Sequence, residues 1–479
     1  QVKYISMDLF AAYQFTRREH WQNVARKMTR WNGWGGPYRK RLNQVVKSLA
    51  VPGLRVLELG CGRGDLLAAL EPSFGVGVDF STLMLQQARQ AHPGLHFIAA
   101  DVHQLPLHAR FDVIILSDLV NDLWDVQQVF QQVKPLCTPT TRIVINTYSR
   151  VWQLPLWMAE KLSLAKPNLE QNWFTVPDLK NLLSLTGFEN LRSWMEVLFP
   201  IHIPLLSAFL NKVLVRFWPF NQLAVTNFLL ARPVPSSQHP PCSVSVIVPA
   251  RNEEGNIENI IARTPEMGTG TEIIFVEGHS SDQTYARIQE AATAHPERKI
   301  LVLRQPGKGK GDAVRTGFAR ASGDILMILD ADLTVPPEDL PRFYDALATG
   351  KGDFINGVRL VYPMQENAMR PLNFIGNKLF SMAFTWLLGQ PVKDTLCGTK
   401  VLWKDGYERI ASNRSYFGDF DPFGDFDLLF GAARQNMKIV DLPIRYRERT
   451  YGTTNIQRWK HGWLLVRMVF FALRRLKFV

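Results

Sequence analysis

Cysteine is scarce in this 479-residue chain: Cys61, Cys137, Cys242 and Cys397 lie far apart, and none forms a CxxC pair. Neither a disulfide framework nor a zinc site is indicated, and a reducing cytoplasm is the natural compartment. Long apolar runs are also missing. The longest uncharged stretches, Val197 to Asn211 and Phe217 to Ala231, contain proline or polar residues. Both are shorter than the roughly 18 to 20 residues of a spanning helix, so no transmembrane segment is expected. The start, QVKYISMDLFAAYQ, has no apolar core ahead of a small-residue cleavage site, and no signal peptide is expected. Acidic residues are outnumbered, 43 against 55 Lys and Arg, for a formal charge of +12. Such a balance suits anionic partners, and charge alone does not separate nucleic acid, nucleotide phosphates and an anionic membrane surface.

What is present describes a globular chain long enough for two domains, with 46% hydrophobic and 20% charged residues. The stretch Arg232 to Cys242, RPVPSSQHPPC, is rich in proline and serine and has no periodicity, so it reads as a semi-stiff linker. The expected organisation is a first domain over 1–232, a linker over 233–242, a second domain over 243–455 and a basic amphipathic tail over 456–479.

In the first half, LRVLELGCGRGDLL at Leu54 to Leu67 reads as a strand, a glycine turn and a helix start. Glu58 closes that strand, Asp79 closes the next, and Asp101 and Asp118 follow two more. This order of strands and acids resembles the class I S-adenosylmethionine-dependent methyltransferases. The resemblance implies an α/β, Rossmann-like, seven-stranded doubly wound sheet with the cofactor across the carboxyl ends of its first strands. It further implies that Glu58, Gly60 and Gly62 border the methionine moiety, Asp79 holds the ribose, Asp101 lies by the adenine, and Asp118 edges the methyl-transfer site. For Asp118, Asn121 and Asp122, capping of the helix begun by LWDVQQVFQQV is an equal reading. The first 50 residues read as helices capping this domain, with Trp31, Trp34 and Tyr38 either closing over a ligand or packing as core. Between Phe199 and Phe220, Leu205, Leu206, Phe209, Leu210, Val213 and Phe217 recur at helical spacing, which suits a core helix or a membrane-surface one.

In the second half, Ser322 to Pro337 (SGDILMILDADLTVPP) organises everything around it. Ile325 to Leu329 is all apolar, as in a strand buried on both faces, and ends in Asp330 and Asp332. Two carboxylates one residue apart at a strand end can aim at one hard cation, which in turn grips a diphosphate. With VSVIVPARNEEGNIENII, EIIFVEGHSSDQT and GKGKGDAVRTGFARASGD before it, this block resembles the family 2 glycosyltransferases of the GT-A fold. Within that family it is similar to the dolichol- and polyprenyl-phosphate hexose synthases. The resemblance implies a UDP- or GDP-hexose donor, a polyprenyl phosphate acceptor and Mg or Mn on Asp330 and Asp332. It places Pro249, Arg251, Glu253 and Glu277 against the nucleotide. Lys308 and Lys310 suit the diphosphate or a solvated charge run, and Arg359 and Arg370 suit phosphates or surface ion pairs. Asp425 and Asp427 would serve as general base for a sugar hydroxyl, or only cap a helix if the acceptor is a phosphate. Arg449, Gly452 and Thr454 match the R-x-x-G-x-S-K element of these synthases. Arg445, Arg447 and Arg449 alternate, as on one face of a strand, and form a candidate phosphate row.

The tail, RWKHGWLLVRMVFFALRRLKFV, sets Lys460, Arg467 and Arg474 on one helical side among aromatic and aliphatic residues. It suits an anionic headgroup layer or docking on the protein's own core. The reading is a bifunctional enzyme, peripheral on the inner, cytoplasmic face of a membrane: an S-adenosylmethionine-dependent methyltransferase joined to an inverting hexosyltransferase. A polysaccharide glycosyltransferase, or one degenerate domain acting as a scaffold, are the rivals. Nucleic acid is not an expected partner, because the densest basic cluster lies in the tail rather than on the first domain.

Overall fold

The computed structural model describes residues 2–27, 36–162, 169–235, 241–362, 371–414, 424–449, 451 and 458–478. The chain divides into two compact units, 1–234 and 235–477.

The first unit is built on seven strands: β1 (Arg55–Leu59), β2 (Phe74–Asp79), β3 (His96–Ala99), β4 (Phe111–Ser117), β5 (Cys137–Tyr148), β6 (Phe188–Glu196) and β7 (Thr226–Pro233). Their order is β3-β2-β1-β4-β5-β7-β6, with β7 antiparallel to both of its neighbours. Alternate residues face two separate cores. Leu57, Ile114 and Ile143 meet Val129, Phe130 and Leu179 on one side, while Val56, Ile115 and Val144 meet Leu42, Val46 and Leu67 on the other. Burial on both faces is why these strands read as unbroken apolar runs. Each fully buried aliphatic side chain contributes ~1.5–3 kcal/mol.

The second unit repeats the logic with β8 (Val244–Ala250), β9 (Thr271–Glu277), β10 (Lys299–Arg304), β11 (Ile325–Ile328), β12 (Phe354–Val358), β13 (Lys400–Trp403) and β14 (Ile439–Pro443). The order is β10-β9-β8-β11-β13-β12-β14, with β13 antiparallel to β11 and β12. Leu326 and Ile328 enter one core and Ile325, Met327 and Leu329 the other, so the strand predicted to be buried on both faces is so.

In both sheets the strand order reverses beside the first strand, between β1 and β4 and between β8 and β11. Such a reversal opens a crevice at the carboxyl ends, where ligands bind in open α/β sheets.

Three local expectations are corrected. Asp125, not Asp118, Asn121 or Asp122, caps the helix Val126–Val133, its side chain accepting the Gln128 amide at 3.0 Å. Residues 444–449 carry no strand, because β14 stops at Pro443. Arg445, Arg447 and Arg449 are therefore not a row on one strand face. Between Phe199 and Phe220 the only α-helix is the short Leu206–Lys212, and Leu206 and Phe209 are exposed, which removes the core-helix reading.

The tail forms the helix Arg458–Ala472, widening over Leu473–Lys477. Leu465, Met468 and Ala472 enter the core with Phe384, Leu387 and Leu388 of the helix Pro371–Leu388. The opposite face leaves Trp463 67% and Phe470 64% exposed. Among the described residues, no helix is long and apolar enough to cross a membrane.

Candidate functional site

In the first unit the crevice is lined by the acids that end the strands. Gly62, at φ +53°, turns the chain so that its amide donates to Asp79 Oδ2 at 2.9 Å, and a Cβ on it would face open space. The Ser81 amide donates to Asp79 Oδ1 at 2.8 Å. The Phe80 amide also bonds to this carboxylate, whose two oxygens together keep acceptor capacity for a vicinal diol. Gly60 sits at φ +69° in the same turn. Buried Glu58 accepts the Leu67 amide at 3.1 Å, and burial pushes its carboxyl up to about 8.

At the next strand end Asp101 is opposed by burial. It is nonetheless lowered to about 2, because the His103 ring (2.7 Å), the His103 amide (2.9 Å) and Gln14 all bond to it. Beyond β4, Asp118 adopts φ +50° and accepts from Tyr38 Oη at 2.9 Å and Asn146 Nδ2 at 2.6 Å. Tyr38 in turn stacks on Tyr148, with centroids 6.0 Å apart. Burial, with Asp118 second, raises the Tyr38 phenol well above its ordinary range.

The helix Val2–Lys27 crosses this crevice. Besides Gln14, it sends the Tyr13 hydroxyl to the Asp122 carbonyl, Arg17 to the Asp122 carboxylate at 2.9 Å and Trp21 Nε1 to the same carboxylate at 2.8 Å. The expected helical cap is present, but it acts through Tyr13, Gln14, Arg17 and Trp21. Their spacing of one, three and four residues on a single helix face is the mark this contact leaves in the sequence. Trp31 and Trp34 lie outside the described residues. The open turn at Gly62, the diol-ready Asp79 and the carboxylate at Asp101 fit S-adenosylmethionine.

In the second unit, Asp330 and Asp332 follow β11 into the crevice. Asp330 Oδ1 stands 2.5 Å from Lys310 Nζ. Burial opposes the charge of both groups, yet each outweighs it for the other, lowering the carboxyl and raising the ammonium. Asp332 Oδ2 stands 2.6 Å from Arg449, and its Oδ1 accepts from the Thr334 amide (3.1 Å) and hydroxyl (2.7 Å). Arg449 also approaches Glu253 at 3.8 Å. Burial pushes the Glu253 carboxyl up to about 7, against the opposing bond from Asn256 (2.8 Å) and the charge of Arg449.

Gly398 closes over the pair: a Cβ there would stand 2.0 Å from Asp330 Oδ2 and 2.2 Å from Lys310 Nζ. Two hard carboxylates at a strand end fit Mg or Mn shared with a diphosphate. Among the described residues no cluster of three His, Cys, Asp or Glu offers a complete protein cage.

The remaining candidates sit as follows. Pro249 lies in β8 and Arg251 is exposed just after it. Glu277 ends β9 and accepts the Ser280 amide at 2.5 Å. Lys308 is exposed in the loop that leads to Lys310, the first residue of the helix Lys310–Arg320.

Arg359, expected at a phosphate, instead forks onto buried Asp394 at 2.7 and 2.9 Å, with the Tyr446 ring 5.1 Å away. Arg445 is exposed over Tyr362, and Arg447 is exposed, its amide bonded to the Thr334 carbonyl. Asp425 faces the fully buried Lys400 at 3.4 Å, and Asp427 pairs with Arg414 at 2.9 Å. The sequence gives no sign of Lys400 as a site residue, since nothing in DTLCGTK marks its lysine as buried. Arg370, Gly452 and Thr454 lie outside the described residues, and of Lys460 only its place at the start of the tail helix is described.

Residues 50–189 match the family model described as "Methyltransferase domain", and residues 245–410 match "Glycosyl transferase family 2". Over 220 residues the chain is 38% identical to the dolichol-phosphate mannosyltransferase of Pyrococcus furiosus, covering 45% of this chain and 59% of that protein. Over 217 residues it is 34% identical to an undecaprenyl-phosphate 4-deoxy-4-formamido-L-arabinose transferase of Pectobacterium carotovorum, covering 44% and 62%. The chain thus spans less than two thirds of either relative's length. An S-adenosylmethionine-dependent methyltransferase structure from Mesorhizobium loti aligns with 38% of this chain and 92% of its own, at 22% identity and a TM-score of 0.30.

Proposed function

From a chain that carries a methyltransferase domain followed by a family 2 glycosyltransferase domain, we propose the following activity for the second unit. It transfers a hexose, with inversion, from a UDP- or GDP-sugar to a polyprenyl phosphate. The first unit methylates a separate acceptor from S-adenosylmethionine.

The observation that carries the reading is the pairing of Asp330 with Lys310 and of Asp332 with Arg449 at the end of a strand buried on both faces. This concentrates two carboxylates and two cations where a diphosphate and its counterion would lie. Mg or Mn, held by Asp330 and Asp332, would supply positive charge to the departing diphosphate. Lys310 heads the helix Lys310–Arg320, so its ammonium and the helix N-terminus favour the same anion. Arg449 reaches both Asp332 and Glu253, which suits a cation shared by the donor diphosphate and the acceptor phosphate. A phosphate oxygen of the acceptor forms the new bond to the anomeric carbon, and the bond to the diphosphate oxygen breaks with its electron pair.

Asp425 and Asp427 already compensate Lys400 and Arg414. A phosphate acceptor is ionised and needs no general base, which agrees with carboxylates so engaged. The two relatives named above act on dolichol phosphate and undecaprenyl phosphate by their names, which supports the lipid acceptor.

The solvent face of the tail helix presents Trp463, Arg467, Phe470 and Arg474, and its neighbour Pro371–Leu388 presents Phe374, Ile375, Leu379 and Met382. Aromatic and basic residues together suit a headgroup layer, from which a polyprenyl phosphate would be drawn.

The test is incubation with Mg or Mn, polyprenyl phosphate and labelled nucleotide sugars, followed by extraction into organic solvent. Lipid-soluble label is the expected result and names the donor. Donor consumed with label left in water would move the acceptor to a glycan and make Asp425 and Asp427 the first residues to replace.

A further inference from the structure

Of the twenty-eight large apolar side chains exposed among the described residues, fourteen fall in two segments of the first unit, residues 150–162 and 201–223. Val151, Leu154, Trp157, Met158 and Leu162 come from the first; Leu205 (87% exposed) and Trp218 (78% exposed) stand out in the second. Soluble surfaces rarely gather apolar groups this way without a ligand or partner.

The two segments form one surface. Trp152 Nε1 donates to the Leu223 carbonyl at 2.8 Å, and the Ser149 amide to the Val225 carbonyl at 2.7 Å. Asn211 braces the second segment by bonding both the amide and the carbonyl of Phe199, at 2.8 and 2.7 Å.

Its position and charge point to an occupant. Residue 148 pairs with Thr226 where β5 and β7 meet, so both segments leave the sheet at the carboxyl edge. Tyr148 is also the ring stacked on Tyr38 beside Asp118, at the cofactor crevice. Residues 197–225 contain no acid, and with Arg216 paired inward to buried Glu196 at 2.6 Å, the surface carries Arg150, Lys161 and Lys212 against Glu160 alone. Lys161 Nζ lies 5.9 Å from the Trp157 ring centroid. A second protein would be expected to offer mixed charge, whereas tryptophan with lysine at the rim of an apolar face is the signature of a lipid headgroup boundary.

We propose that the first unit docks on an anionic bilayer through residues 150–162 and 201–223 and takes its methyl acceptor, an amphipathic molecule, from that surface. The acceptor rests on the methyltransferase reading above; the docking does not. In the transfer, a lone pair of an acceptor oxygen or nitrogen takes the methyl carbon, the carbon–sulfur bond pair returns to sulfur, and the acceptor proton passes to solvent.

Hydrogen exchange of the full chain, with and without phosphatidylglycerol–phosphatidylethanolamine vesicles, reads this surface separately from the tail helix. The expected result is exchange slowed several-fold in 150–162 and 201–223. Loss of that protection is expected in Trp157→Glu/Trp218→Glu and independently in Leu154→Glu/Phe209→Glu, each with an unchanged thermal midpoint. Unchanged exchange on vesicles overturns the proposal. Protection that appears without lipid as protein concentration rises also overturns it, in favour of a second copy. Calorimetric titration with S-adenosylmethionine is run in parallel: vesicle protection without cofactor binding keeps the docking face and removes the methyltransferase reading.

Discussion

Single carboxylates end the central strands in both crevices, and their neighbours set the charge of each. Asp332 is held by Thr334 and Arg449 in a geometry that asparagine copies in shape but not in charge. Asp332→Asn should lower sugar transfer by about 10²–10³-fold with the thermal midpoint retained, a loss typical of removing one preorganised electrostatic partner. Steady-state kinetics with labelled donor would check it. Glu58 gives a pH signature. Its folded carboxyl is raised by burial to about 8 from an ordinary 4.5, so between these values the folded state holds the proton more tightly than the unfolded one. Its contribution to stability is therefore complete below about 4.5 and is lost as pH rises toward 8. Urea unfolding of the native chain and of Glu58→Gln should show the native chain losing ground to the variant across that window.

At the scale of elements, the tail helix has two faces with different energetics. Leu465→Ala, in the core, should cost about 2–5 kcal/mol, read as a fall in unfolding midpoint. Phe470→Glu, on the solvent face, should leave that midpoint within the usual surface range while weakening vesicle flotation. The elements themselves were largely legible. Ile325 to Ile328 of the run Ile325 to Leu329 form β11, because burial on both faces leaves a mark in every residue. Glycine turns and strand-end acids marked the first crevice for the same reason: local spacing carries them. What stayed hidden depends on distant partners. Nothing near Arg359 announces Asp394, and nothing near Lys400 announces Asp425, since both pairs close across the fold. The alternation of Arg445, Arg447 and Arg449 suggested a strand that the sheet does not extend to.

For the molecule as a whole, each unit encloses its own cores around its own sheet. The two activities should therefore be separable in one polypeptide. Asp79→Ala is expected to abolish S-adenosylmethionine binding and leave nucleotide-sugar binding intact, and Asp330→Ala the reverse. Calorimetric titration of both ligands against both variants checks this, and a cross-loss would show the sites to be coupled.

In the first sheet, Glu196 at the end of β6 pairs with Thr226 at the start of β7, and the Val225 amide donates to the Val197 carbonyl at 2.8 Å. The chain between them leaves and re-enters at adjacent rungs, so it behaves as a cassette. A short hairpin turn could replace it, or a different excursion be spliced in, with the ladder left in register. Recasting one of the two exposed apolar segments would then be a matter of exchanging a single loop, with the sheet beneath it untouched.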